Sequence, residues 1–283
     1  MSVVKISAAD VKKLRDQTGA GMMDCKKALT EAEGDYDKAI DVLRKRGQKM
    51  SAKRADRDAK EGVVIAITSE NGNNGVVLRL SCETDFVAKN QDFIDFAQSL
   101  ADIALKNLPN SVEELMALPY PGSLTVADKI SEQVVTIGEK LEVAQYAKLE
   151  TAAGQGQVVP YIHMGYRAGV IVAMNLEGAE FVDPGKNVAM QVAAMRPIAL
   201  DKDGVDATMV EKEIEIGKEQ ARAAGKPEEM LERIAMGKLN KFYKENTLLN
   251  QQYVKDSKQT VASYLQSIDG KLTITDFKHI TLG

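Results

Sequence analysis

Apolar residues recur every three or four positions in three short stretches at the beginning of the chain, which is the spacing of amphipathic helices. Each stretch ends at a glycine, and the first begins with a capping-box pattern formed by Ser7 and Asp10. The pattern predicts a three-helix module over residues 1–47, with helices at 7–19, 22–34 and 35–47.

Met22 and Met23 follow a turn bracketed by glycines between the first two predicted helices. These side chains either fill the small core or form a contact surface, because methionine is flexible and polarisable and suits both places. The next segment, residues 48–61, is rich in alanine, has mixed charge and almost no apolar face. We predict a helical linker there.

Alternating apolar runs at 63–68 and 76–81 flank the sequence ENGNNG, a strong signal for a β-hairpin. A helical pattern between Phe93 and Ala104 follows, and it predicts a helix packed on the hairpin. The same order of strand, corner with an acidic residue before Phe-Val, and helix returns between residues 169 and 200. We interpret this repeat as an internal duplication.

The fold class predicted from these patterns is α+β, with a duplicated two-subdomain core. The first core subdomain is placed at residues 62–150 and the second at 151–283. Two polar helical segments at about 206–246 flank the sequence AGKP, where Gly225 suits a helix end and Pro227 a first turn. They predict a protruding antiparallel helical hairpin inserted in the second subdomain.

The composition of the 283-residue chain, with 44% hydrophobic and 28% charged residues and a net charge of −4, is that of an ordinary soluble protein. No apolar run approaches the roughly 20 residues that a membrane span needs, so no membrane partner is expected. The first ten residues lack the pattern of a signal peptide, and we expect a cytoplasmic protein.

Charge is unevenly distributed: residues 1–60 carry 15 Lys and Arg against 10 Asp and Glu, and the remainder carries 22 against 31. The surplus at the front is small, and no aromatic residues interleave the basic ones, so nucleic acid is not the expected partner. An acidic protein partner fits the basic surplus as well as a nucleic acid would. An RNA- or protein-binding adaptor that uses this basic region remains the alternative function.

The chain offers little to catalysis. It has no phosphate-binding loop, only two histidines, His163 and His279, and no Cys-x-x-Cys pair that would hold zinc. We expect neither an enzyme nor a cofactor or metal. Cys25 and Cys82 lie in apolar patterns and are interpreted as small buried hydrophobic residues, with a thiol enzyme as the remote option.

The corner SCETDFVAKN places Asp85 and Phe86 between a predicted strand and a predicted helix. In one interpretation Phe86 packs beneath the corner and Asp85 caps the helix. In the other, Phe86 is an exposed anchor for a partner, because neighbouring apolar residues already supply the packing. Pattern alone leaves both open.

The segments TGAGMMDCKKALTEAEGDYDKAI (18–40) and TDFVAKN (84–90) resemble two signature segments of bacterial elongation factor Ts. The resemblance continues through TIGEKL, YIHMGYRAGVIV and AGKPEEM. It implies an N-terminal module of the ubiquitin-associated type, a linker, a duplicated α+β core and a projecting coiled coil. It also implies nucleotide exchange on the GTPase elongation factor Tu, with no direct nucleotide binding by this chain.

The resemblance further implies roles for particular residues. The segment Thr84, Asp85, Phe86 and Val87 would disturb the magnesium site of the partner, with Phe86 as a wedge in an apolar pocket. Further positions match partner contacts of the family: Leu14, Met22, Met23, Ile137, Gly138, His163 and Val254. Lys255 departs from the family's Met at a position beside the last of these.

The second copy of the repeat has Glu180 and Phe181 at the equivalent corner. We therefore expect the exchange function on the first copy alone and a structural role for Phe181. The better-known form of the family continues into a C-terminal helical module that also binds the GTPase, whereas this sequence ends at KLTITDFKHITLG. We expect that contact to be missing or replaced, so that the N-terminal module and core supply most of the affinity. A homodimer through the hairpin is compatible with the family resemblance.

Overall fold

The computed structural model describes residues 6–282 of the protein, so the first five residues of the predicted N-terminal module and the last residue of the predicted second subdomain lie outside the described residues. The fold is α+β, as predicted, and combines helices with small antiparallel sheets. Three helices come first: α1 (Ala8–Thr18), α2 (Met22–Glu31) and α3 (Tyr36–Lys53).

The N-terminal module closes around one small apolar core. Ser7 caps α1 through the predicted capping box with Asp10, and Gly19 ends the helix in a left-handed conformation. The buried side chains that these helices share include Val11, Leu14, Cys25, Ala28, Leu29, Ala39 and Leu43.

The predicted end of the third helix at Gly47 is wrong, because α3 continues to Lys53 and includes the first part of the predicted linker. Gly47 serves helix packing instead. It faces α7 (Val126–Ile137), and a Cβ atom at this position would lie 2.7 Å from the backbone oxygen of Ser131. The missing side chain therefore lets α7 approach α3, and the linker is irregular only after residue 53.

The first half of the core is an antiparallel sheet in the order β1 (Glu61–Thr68), β2 (Asn74–Cys82), β3 (Glu142–Glu150). The short helix α4 (Asp85–Ala88) follows β2 almost directly. After α4, the chain forms α5 (Gln91–Asn107), α6 (Val112–Ala117) and α7 before it reaches β3. Apolar residues of α5, including Phe93 and Leu100, pack on one face of this sheet.

The second half repeats the arrangement with β4 (Gln157–Ile162), β5 (Ala168–Met174) and β8 (Ile274–Thr281), in that antiparallel order. The long helix α8 (Ala179–Met195) follows β5, as α5 follows the corner after β2. A two-stranded hairpin, β6 (Gln252–Tyr253) with β7 (Asp256–Thr260), and α11 (Val261–Ile268) precede β8. The repeated order of strand and helix agrees with the predicted duplication.

The two sheets pack face to face between the helices. Side chains alternate along each strand, so Val63 and Ile65 face α5 while Val64 and Ala66 face the second sheet. In β5, Ile171 likewise lies in the cluster between the sheets. The layers are therefore helix, sheet, sheet, helix, and both central strands are buried on both faces.

The predicted helical hairpin consists of α9 (Ala207–Ala223) and α10 (Glu228–Asn246). Its helices are antiparallel, as the ion pairs Arg222–Glu228 at 2.9 Å and Lys218–Glu232 at 3.3 Å show. The seam between them buries small and aliphatic residues: Gly217, Ala221, Leu231, Ala235 and Leu239.

Gly47→Ala is expected to destabilise the protein by roughly 1–3 kcal/mol, because the added methyl meets the backbone of α7. Gly237→Ala, in α10, is the matched control: no atom lies within 4 Å of its Cβ position, so helix propensity alone should stabilise by about 0.5–1 kcal/mol. Chemical denaturation measures both. Stabilisation by both substitutions would contradict the close packing of α3 on α7.

Candidate functional site

The corner between β2 and α5 presents Phe86 to solvent. Thr84 is the N-cap of α4, and its hydroxyl accepts a hydrogen bond from the backbone N–H of Val87 at 3.4 Å. Phe86 lies in the first turn of this four-residue helix and is 85% exposed to solvent. The interpretation that Phe86 packs beneath the corner is therefore wrong, and the exposed alternative agrees with the structure.

Phe181, the equivalent aromatic residue of the second copy, is only 8% exposed and packs into the core beneath α8. Its predicted structural role agrees with this position. The equivalent phenylalanine is therefore exposed to solvent in the first copy and buried in the core in the second. Because the exposed Phe86 is not held by core packing, its position has to be fixed by the backbone around it.

Two carboxylates fix that backbone. The Glu139 carboxylate accepts hydrogen bonds from the backbone N–H groups of Glu83 and Thr84, both at 3.0 Å, and from the Thr84 hydroxyl at 2.6 Å. The Glu83 carboxylate in turn accepts a bond from the backbone N–H of Lys140 at 2.6 Å. The corner is therefore tied to the loop after α7.

Arginine side chains from the end of α3 and the linker complete the surroundings of Glu83. Arg54 and Arg57 each approach its carboxylate to 3.0 Å. Desolvation raises the pKa of the Glu83 carboxyl, but the Lys140 N–H and the two guanidinium groups outweigh it and hold the pKa below the usual 4.5. Glu83 therefore stays ionised at neutral pH.

Asp85 stands beside Phe86 as an exposed carboxylate. Its Oδ2 pairs with Lys89 Nζ at 2.6 Å, and this bond lowers the pKa of the Asp85 carboxyl. Both side chains are solvated, so the pair is easily exchanged for another cation. The corner therefore offers an aromatic ring with a negative charge at its edge.

A groove of about 580 Å³ opens beside the corner. Its lining includes Asp85 and Phe86 of the corner, Gly62 of β1, and Gly165 and Arg167 of the turn before β5.

The turn that contributes Gly165 to the groove carries an exposed methionine that the sequence patterns do not reveal. Met164 is 86% exposed, slightly more than Phe86, and it precedes Gly165 and Tyr166, both at positive φ (74° and 57°). His163 is exposed in the same turn, and its Nδ1 lies 3.0 Å from the Tyr161 hydroxyl. The exposure of Met164 follows from the geometry of this turn, which the sequence pattern alone does not reveal.

Part of the remaining predicted contact set lies near the same face. Gly138 ends α7 in a left-handed conformation, one residue before Glu139, and Ile137 is half-buried against the first core. The Thr136 hydroxyl donates to the backbone oxygen of Gly19 at 3.3 Å, so the turn between α1 and α2 lies beside the end of α7.

Met22 and Met23 are 51% and 63% exposed at the start of α2, which agrees with the contact-surface interpretation and not with core filling. The predicted partner contact at Leu14 is wrong, because its side chain is fully buried inside the N-terminal module. Its apolar spacing in α1 serves the core of that module.

Val254 lies apart from the corner, on the β6–β7 hairpin. It is 46% exposed, and its backbone N–H donates to Gln191 Oε1 of α8 at 2.8 Å. Lys255 beside it reaches Asn187 Oδ1 at 2.6 Å. The contacts of this hairpin belong to the second half of the core.

The cysteines are free and buried, as predicted. Burial, together with the Glu139 charge, raises the pKa of the Cys82 thiol to about 12, and burial also raises the pKa of Cys25. Neither thiol is therefore ionised at neutral pH, which argues against the thiol-enzyme option. Among the described residues, no group of three or more His, Cys, Asp or Glu could hold a metal ion.

No helix within residues 6–282 has the length and apolar character needed to cross a membrane.

Comparison with known proteins identifies relatives over nearly the whole chain. A family model described as elongation factor TS matches residues 83–283. The chain is 50% identical over 283 residues to elongation factor Ts of Christiangramia forsetii, covering 99% of this chain and 100% of that protein. It is 51% identical over 278 residues to elongation factor Ts of Flavobacterium psychrophilum and equally so to that of Cytophaga hutchinsonii, covering 98% of this chain and 99% of each relative.

Phe181→Ala should lower the free energy of unfolding by about 3–5 kcal/mol, because it opens a cavity beneath α8. Phe86→Ala should change it by less than about 0.5 kcal/mol, because the exposed ring makes little internal contact. Urea denaturation of both variants gives the comparison. Comparable losses in the two variants would show that Phe86 packs inward in solution.

Acidification should remove the contribution of Glu83 to stability. Because its folded-state pKa lies below the unfolded value, the stabilisation is present above pH 4.5 and is lost as the pH falls through the lower, folded-state value. Unfolding of the wild type and Glu83→Gln should therefore differ at pH 7 and converge in acid. Glu150→Gln controls for removal of one charge, and a difference that does not depend on pH would contradict this assignment.

Proposed function

The chain belongs to the elongation factor Ts family, and we propose on that basis that it promotes guanine nucleotide exchange on elongation factor Tu during translation elongation. The observation that carries the mechanism is Phe86, an aromatic side chain 85% exposed on a corner whose backbone is fixed by two carboxylates. A large exposed ring on a rigid support is suited to bind a preformed pocket at little entropic cost.

Exchange follows from linkage between two binding events. A protein that binds the nucleotide-free GTPase more tightly than the GDP-bound form must weaken GDP binding by the same factor. The magnesium ion beside a bound nucleotide neutralises phosphate charge and is often the largest local charge in such a site. A wedge that displaces the residues around that ion therefore weakens GDP, and the factor itself needs neither nucleotide nor cofactor.

We assign the wedge to Phe86 and the charge at its edge to Asp85. Asp85 can exchange its solvated partner Lys89 for a cation of the GTPase when the surfaces meet. Thr84 and Val87 act differently: Thr84 caps α4 and bonds Glu139, while Val87 packs against the first core. We therefore propose that these two residues position the wedge.

Further contacts extend from the corner over neighbouring surfaces. Met164 and His163 belong to the turn whose Gly165 lines the groove together with Phe86, and Met22 and Met23 project from the N-terminal module. Gly138 and the accessible part of Ile137, at the end of α7, contribute to the same surface, and Val254 forms a separate contact from the second half of the core. We leave Leu14 out of this surface because it is buried.

The architecture supports the same proposal. We interpret helices α1 to α3 as a module of the ubiquitin-associated type, and α9 with α10 as the family's coiled coil. The core units at residues 62–150 and 151–283 then act as one platform for the corner, because their sheets pack together. We place this exchange factor, which is not an enzyme in the catalytic sense, in the cytoplasm, where translation elongation takes place.

The RNA-adaptor alternative is weakened by internal ion pairs of the basic N-terminal region. Six basic side chains in that region already have carboxylate partners within the chain, and they are Lys38, Arg44, Arg46, Arg54, Arg57 and Lys60. Phosphate binding would have to compete with these pairs, so the positive charge available to a nucleic acid is smaller than the number of basic residues in this region indicates.

The release of a fluorescent GDP from elongation factor Tu, with and without the chain, tests the proposal. We expect the release rate to rise with the concentration of the chain and to saturate when the complex is formed. Release that stays at its intrinsic rate over the whole concentration range would overturn the proposed function.

Phe86→Ala should lower the second-order rate constant of GDP release at least tenfold, because truncation of a hot-spot side chain usually costs about 2 kcal/mol of binding free energy. Met164→Ala should cause a smaller loss in the same assay. Met209→Ala, which removes an exposed methionine from α9, is the matched control and should leave release unchanged. Equal effects of all three substitutions would contradict the assignment of the corner.

A further inference from the structure

Glu83 and Glu139 form a reciprocal contact between two segments that are far apart in the sequence. Each carboxylate binds backbone N–H groups of the other segment: Glu139 binds residues 83 and 84, and Glu83 binds residue 140. We call these four contacting residues, Glu83, Thr84, Glu139 and Lys140, the carboxylate clasp. No residue of the clasp needs to touch a partner for it to act.

The clasp supplies hydrogen-bond partners that this part of the backbone would otherwise lack. β2 ends at Cys82, so the N–H groups of Glu83 and Thr84 lie beyond the ladder with β1 and β3. Polar groups without a partner in partly buried positions cost free energy, and bonds to a charged acceptor are stronger than those between neutral groups. Glu139 therefore holds the corner more firmly than a water-exposed turn would be held.

The linker is attached to the same point. Lys140 Nζ donates to the backbone oxygens of Ala55 at 2.9 Å and Arg57 at 3.1 Å, while Arg54 and Arg57 pair with Glu83. Three segments therefore meet at the clasp: the end of α3 with the linker, the corner before α4, and the loop after α7.

This geometry joins the patches of the proposed contact surface. Gly138 immediately precedes Glu139, and Phe86 follows Thr84 by two residues. The clasp therefore sets the position of Phe86 relative to the end of α7, and through the linker it ties both to the N-terminal module. Without it, a four-residue helix such as α4 has too few internal bonds to hold an aromatic ring in one orientation.

We propose that Glu139 is a positioning residue for nucleotide exchange, which acts by holding the backbone at residues 83 and 84 so that Phe86 meets the GTPase already oriented. This inference rests on the proposed exchange function. It assigns to Glu139 an effect that passes through Phe86 and not through a contact of its own with the partner.

A double-mutant cycle between Glu139 and Phe86 separates positioning from general stabilisation. Glu139→Ala should lower the second-order rate constant of GDP release about tenfold in the wild-type background, the order expected when a charged acceptor is lost. In the Phe86→Ala background the same substitution should change the rate less than about twofold, because the positioned ring is gone. Its effect on unfolding should be equal in both backgrounds.

Two further variants make the test specific. Glu139→Gln keeps an acceptor oxygen for the backbone N–H groups and should restore most of the exchange activity lost in Glu139→Ala. Glu150→Ala, which removes the partner of Lys148 at the far end of β3, controls for loss of an ion-paired carboxylate and should leave exchange unchanged.

Hydrogen–deuterium exchange of the free full-length variants tests the clasp without the partner. The amides of residues 83–88 should exchange roughly tenfold faster in Glu139→Ala than in the wild type, while those of α5 stay protected. Unchanged amides at the corner would overturn the clasp. Equal losses of GDP release in both backgrounds of the cycle would overturn the positioning role. If the wild type fails to accelerate GDP release, the proposed function is wrong. The role of Glu139 in nucleotide exchange is then wrong as well, even if amide exchange shows that Glu139 protects residues 83–88.

Discussion

The contact between the Glu139 carboxylate and the backbone of residues 83 and 84 determines how the corner is built. An exposed aromatic side chain gains nothing from the core, so its orientation has to come from the backbone that carries it. Here that backbone lies just beyond the last ladder residue of β2, where a charged acceptor replaces the missing strand partner. The solvated Asp85 and Phe86 are thereby attached to a part of the protein that is well packed.

The packed sheets provide the rigid base for this arrangement. Because β2 and β5 are each central in their sheets and the sheets pack on one another, the corner directly follows a strand that is buried on both faces. The same unit in the second copy uses its aromatic residue, Phe181, to fill the core. The two similar units therefore differ at this corner: Phe86 is exposed, whereas Phe181 is part of the core.

Periodicity predicted much of the fold, whereas the roles of single residues depended on neighbours that are distant in the sequence. The helical hairpin and the strand pair that flanks ENGNNG follow from local patterns, and their positions agree with the structure. Gly47 and Leu14 were misinterpreted because α7 approaches the first residue and a closed three-helix core surrounds the second. Glu139 lies 55 residues from Thr84, so no local pattern could reveal their bond.

In the proposed function, Phe86 enters the GTPase domain of elongation factor Tu beside its magnesium site. Site-specific photocrosslinking tests it most directly, with p-benzoylphenylalanine in place of Phe86 and, as a control, in place of Met209. On this account the probe at position 86 crosslinks to the GTPase domain near the residues that surround the magnesium ion, and the probe at position 209 does not. Crosslinking of position 86 to another domain, or no crosslink in a complex that forms with normal affinity, would contradict the claim.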